Sequence, residues 1–136
     1  MLAGVSSHKE VFFAGPSHVN PIPAGVRAGG FIFLSAVRGQ DPETRALAPD
    51  AESQARQLFT NLQATLGAVG ASLEHVVRMG VFMADLEHDR AAFNVVWQER
   101  FGDQPPARFA IQVSAMGMPD DGTRFLADVI ALDPGA

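Results

Sequence analysis

Two charged residues stand in surroundings that do not favour charge. Arg108 follows Pro105-Pro106-Ala107 and opens the run Phe109-Ala110-Ile111, while Asp128 interrupts the apolar stretch from Phe125 to Leu132. A guanidinium cannot shed its charge, so in a strand-like, apolar setting its desolvation has to be offset by an anion. That anion is either a carboxylate of the chain, in a structural ion pair, or a ligand carboxylate gripped bidentately by the planar fork. A lone acid at position 128 must pair or carry a raised pKa, and a buried acid able to exchange protons suits hydrolytic chemistry. Pattern alone leaves the structural pair and the site equally open.

Other candidate clusters carry less. His8, His18, His75 and His88 fall in separate elements without HxxxH or HxH spacing, so they read as surface histidines and no metal is expected. Asp85-Leu86-Glu87-His88-Asp89 gathers three acids beside a histidine, but at a strand-to-helix junction where acids favour the helix start; it reads as solvated. Ala28-Gly29-Gly30 reads as a hairpin turn, since no helix follows to present amides to a phosphate. The serines show no nucleophile-elbow pattern, which removes support for serine hydrolase chemistry.

The elements that must position Arg108 and Asp128 are read from periodicity. A strand is expected around residues 9–15, then a proline-rich loop over Pro16–Pro23, then a hairpin over residues 25–37. Asp50 is the expected N-cap of a helix reaching about Val69, with Ala55, Leu58, Phe59, Leu62 and Leu66 on one face. A strand over residues 75–85 precedes a second helix carrying Phe93, Val96, Trp97 and Phe101. Strands over 109–116 and 123–132 close the chain, separated by the turn-rich residues 117–122. The order β-β-β-α-β-α-β-β predicts an α+β fold, one sheet with both helices on a single face. Phe31–Leu34 and the last strand read as apolar on both sides, so subunit association is expected to cover the second face.

Composition bounds the rest. The 136 residues suit one domain over 1–136, and a formal charge of −5 with only 10 Lys and Arg argues against nucleic acid. No cysteine excludes disulfides and thiolate metal sites, and no run reaches membrane-span or signal-peptide character. A cytoplasmic protein without membrane association is the expectation.

The segments Gly25–Ser35, Ala55–Leu86, Phe93–Arg108 and Ala127–Leu132 resemble, in order and spacing, those of the RidA (YjgF) family of enamine/imine deaminases, over residues 20–132. The most specific match is FNVVWQERFGDQPPAR, with Asn94, Phe101, Gly102, Pro105, Pro106, Ala107 and Arg108. The resemblance implies a chorismate-mutase-like fold, a homotrimer with ligand clefts between subunits, and no cofactor. It implies that Arg108 binds the carboxylate of a 2-imino acid, that the Ala110 backbone orients it, and that Asp128 positions the attacking water. Ser35 and Asn94 are further pocket candidates, Asn94 having a helix-positioning role as its alternative. The products would be a 2-keto acid and ammonia.

The chain departs from the family pattern at four places. Asn20-Pro21-Ile22-Pro23 replaces Gly-Pro-Tyr-Ser, so that Ile22 stands for a cleft-closing tyrosine, Ala36 replaces a glycine, Phe109 replaces a small or hydroxylated residue, and Asp128 replaces a glutamate. Two other readings follow: a non-catalytic module sensing a small carboxylate through Arg108, and a hydrolase for a larger enamine in the space opened at Ile22.

Overall fold

Hydrophobic alternation and tight turns place seven strands in one sheet among the residues that the computed structural model describes, 8–14, 21–116 and 122–136. The strands are β1 (Glu10–Phe12), β2 (Gly25–Ala28), β3 (Phe31–Leu34), β4 (Val37–Arg38), β5 (Val76–Met83), β6 (Ala107–Gln112) and β7 (Phe125–Leu132); the helices are α1 (Ala51–Gly67) and α2 (Leu86–Phe101). The spatial order is β1-β2-β3-β7-β5-β6, with β4 also paired to β7. Only the β5–β6 pair is parallel, because α2 carries the chain across between them. The expected proline-rich loop is described only from Pro21 onward, and Gly117–Asp121 of the expected turn also lies outside the described residues.

Local chemistry accounts for most boundaries. Gly29 and Gly30, at φ +59° and +86°, form the two-residue β2–β3 turn, a conformation open to glycine at both positions. Asp50 caps α1 by accepting from the Ser53 amide at 2.9 Å, as expected, although the helix stops at Gly67 rather than Val69. Asp85 caps α2 by accepting from the His88 amide at 3.1 Å. Strand β6 begins at Ala107, two residues before its expected start, so Arg108 lies within the ladder.

A short strand, β4, was not expected. Phe33 faces Ile130 and Val37 faces Ala127, so four steps along one strand oppose three along the other. The surplus residue is a bulge at Ser35-Ala36, after which the chain rejoins β7.

Both helices cover one face. Alternate residues Phe125, Ala127, Val129 and Ala131 of β7 are buried under them with Ile32, Met79, Val81, Phe59, Leu62 and Phe93. The opposite face is bare: Phe31, Phe33, Val77, Ile111 and Leu132 are exposed, with Leu126 and Ile130 only partly covered. The apolar run Phe31–Leu34 is therefore buried on one side only within a protomer.

The acidic cluster at Asp85–Asp89 is corrected as well. It forms the first turn of α2, and Asp89 is fully buried, accepting from Arg124 at 3.1 Å and lying 2.5 Å from His88 Nδ1. The hydrogen bond to Asp89 raises the His88 pKa above its ordinary value. Asp89→Asn removes a charge-assisted contact and is expected to lower stability by about 1.5–3 kcal/mol in urea unfolding. Because the folded pKa of His88 is raised, its contribution is complete below the unfolded value of about 6.5 and is lost as pH rises through the folded value. Asp89→Asn should abolish that part of the pH dependence.

Candidate functional site

Arg108 owes its position to an aromatic column that begins in the core. Phe125 packs on Phe93 with ring centroids 5.0 Å apart, and Trp97 packs edge-on against Phe101 at 4.6 Å. Trp97 and Phe93 then present their rings to Arg108, whose guanidinium lies 4.8 Å and 5.4 Å from the two centroids. No hydrogen bond or ion pair joins the Arg108 guanidinium to any described residue, so a structural ion pair with one of them is not what holds it there. Burial, and after it the positive Arg90, push its pKa below the ordinary guanidinium value. The group remains charged all the same. It is a half-buried cation on aromatic faces at the edge strand of the sheet, a setting that favours an external anion.

Asp128 occupies a different surface. It lies on the bare face of β7 and is exposed there, which corrects the expectation of a buried acid. The composition of the strand misleads because its solvent-side neighbours Leu126 and Ile130 are themselves apolar. Register builds a row around the carboxylate: Gly80 of β5 faces Asp128 on one side and Phe109 of β6 on the other. Phe109 lies over Gly80 so closely that a Cβ there would fall 2.2 Å from the ring tip. Gly80 is thus the residue that lets the ring reach across β5 toward Asp128. On the far side of β7 the bulge sets Ser35 at the level of Asp128, between the Phe33–Ile130 and Val37–Ala127 pairs.

The sequence-predicted residues therefore fall into two groups. Arg108 and Ala110 point to the helix side of β6, and exposed Asn94 lies between Phe93 and Trp97 on α2 with no hydrogen bond to the described residues. Asp128 and Ser35 belong to the bare face, two and three strands away. Within one protomer the two groups do not meet. Sequence reasoning missed Trp97 as the platform for Arg108, and it missed Arg78. The Arg78 guanidinium lies 5.3 Å from the centroid of the Phe109 ring, a row away from Asp128. Ile22, at the altered tyrosine segment, is exposed, and a cleft of about 550 Å³ beside the start of β6, lined by Glu74, His75, Gln104 and Pro106, includes neither Arg108 nor Asp128. No helix of the described residues is long and apolar enough to cross a membrane.

Comparison with known proteins identifies the family and the fold. The family model described as endoribonuclease L-PSP matches residues 14–129. A RutC family protein of Pyrococcus horikoshii is 36% identical over 111 residues, covering 79% of this chain and 87% of its own. A Salmonella typhimurium protein named 2-iminobutanoate/2-iminopropanoate deaminase is 32% identical over 104 residues, covering 74% of this chain and 80% of its own. The crystal structure of RidA from an Antarctic Psychrobacter superposes with a TM-score of 0.78 at 34% identity, covering 88% and 94% of the two chains. With its two helices on one face of a mixed sheet, in the chorismate-mutase-like α+β fold, this chain belongs to the RidA (YjgF) family.

Proposed function

We propose that this protein hydrolyses small 2-imino acids, or their enamine tautomers, to 2-keto acids and ammonia. The site is composite: the Arg108 edge of one protomer meets the Ser35–Asp128 row of the next in a homotrimer. The observation that carries this reading is Arg108, held on Trp97 and Phe93 without an acidic partner among the described residues. The bare apolar face around Asp128 supports association through that surface, because patches of this kind mark interfaces. The deaminase name of the Salmonella relative supports the reaction class.

The chemistry follows from the groups. Arg108 holds the substrate carboxylate in its planar fork, and the Ala110 backbone fixes the orientation of C2. Asp128 accepts a proton as water adds to C2 of the protonated imine, giving a carbinolamine. Returning that proton to nitrogen lets the C–N bond break. As ammonia leaves, the freed Asp128 carboxylate takes the hydroxyl proton, and the carbon–oxygen double bond of the keto acid forms. Ser35 and Asn94 bound the two halves of the site as polar neighbours, and no step calls for a cofactor or a metal.

Arg108→Lys keeps the charge and loses the fork. Pyruvate and 2-oxobutanoate should protect the wild type against heat and protect this variant less, by roughly 1.5–3 kcal/mol of binding. Light scattering should give the mass of three protomers for both proteins. Equal protection, or a monomeric wild type, contradicts the reading. Ammonia release is measured on imines generated in place by an amino-acid oxidase. Asp128→Asn is expected to bind 2-keto acids but lose most turnover, whereas Asp128→Glu should remain active. A wild type that binds keto acids yet releases no ammonia above buffer would instead be a carboxylate sensor.

A further inference from the structure

Resting on the assignment of Arg108 as the carboxylate anchor, we propose that Arg90 supplies a second anion contact in the same groove, making the site selective for acids that carry two carboxylates. Arg90 and Trp97 are seven residues apart on α2, so at 3.6 residues per turn they lie within roughly 20° of one another on the helix surface. Trp97 is the ring beneath Arg108. Phe93, the other ring, follows Arg90 by three residues on the same side.

The packing of α2 on β6 fixes the level of Arg90 along the strand. At one end the Leu86 amide donates to Gln112 Oε1 at 3.0 Å; at the other, Arg108 lies over Trp97 at 4.8 Å. The helix thus runs antiparallel to β6. Interpolating with roughly 1.5 Å per helical residue and 3.3 Å per strand residue sets Arg90 alongside Ala110. Ala110 is the residue whose backbone orients the substrate in the proposed function. The positive charge of Arg90 is also felt at Arg108, so the two guanidinium groups share one field.

Among the other arginines, Arg38 donates to Thr123, Arg45 and Arg78 have no side-chain hydrogen bond or ion pair to the described residues, and the remaining four are held by partners. Arg27 pairs with Asp133, Arg56 with Glu52 and Glu99, and Arg124 with Asp89; Arg100 donates to Gln63. Neither Arg90 nor Arg108 has a hydrogen bond or ion pair among the described residues, although Glu87 stands one turn before Arg90. Arg90 is exposed and has the reach of a long side chain. A monocarboxylate on Arg108 leaves the second cation unmatched. A carboxylate at the other end of a four- or five-carbon chain neutralises it.

The test compares acids of equal chain length by calorimetric titration: 2-oxoglutarate against 2-oxopentanoate, and oxaloacetate against 2-oxobutanoate. The wild type is expected to bind the diacid of each pair about tenfold more tightly, one charge-assisted contact's worth. In Arg90→Gln the ratio should fall to about one, and raising the salt concentration should erode it in the wild type. A wild type without the preference, or an Arg90→Gln variant that keeps it, overturns the role of Arg90 while leaving the Arg108 anchor standing. If no 2-keto acid binds the wild type, or if binding ignores Arg108→Lys, both readings fall together.

Discussion

A cation held on two aromatic rings, with no acidic partner among the described residues, organises this molecule's edge. The Arg108 guanidinium lies over Trp97 and Phe93, and those rings are locked by Phe101 and Phe125 in the core. Stacking of this kind contributes about 0.5–2 kcal/mol. The desolvation of an unpaired ion costs several kcal/mol when burial is complete. Half-burial at an edge strand keeps that cost down and leaves the fork able to gain from a carboxylate brought in from outside. The aromatic column is thus both core packing and the support that fixes the guanidinium before a ligand arrives.

The second constraint is geometric. Two helices cover one face of the sheet, and among the described residues no helix covers the other. Asp128 sits on that bare face, between Gly80 with the overlying Phe109 on one side and the bulge at Ser35 on the other. Arg108 and Asp128 consequently occupy opposite sides of the sheet. A reaction using both requires a second copy, which would also cover the exposed Phe31, Phe33, Ile111 and Leu132.

What the sequence made legible was local. The Asp50 cap, the Gly29-Gly30 turn and the arginine after Pro-Pro-Ala are written in neighbouring residues, and each stands where it was expected. Solvent exposure of Asp128 was not legible, because a strand apolar on both faces hides the alternation that would reveal which side is bare. Burial of Asp89 depended on Arg124, 35 residues away, and so on tertiary pairing that spacing does not encode. The meeting of Ser35 with Asp128 depended on a one-residue register shift, and the alignment of Arg90 with Arg108 on how α2 seats against β6.

Complementation between two inactive chains tests the composite site most directly. Protomers bearing Arg108→Ala and protomers bearing Asp128→Asn are unfolded, mixed in equal amounts and refolded together. If each site takes Arg108 from one protomer and Asp128 from its neighbour, roughly a quarter of the interfaces in random trimers unite two intact halves. Ammonia release from oxidase-generated imines should then return to roughly a quarter of the wild-type rate. Activity no higher than the sum of the two parent variants would contradict a site shared between protomers.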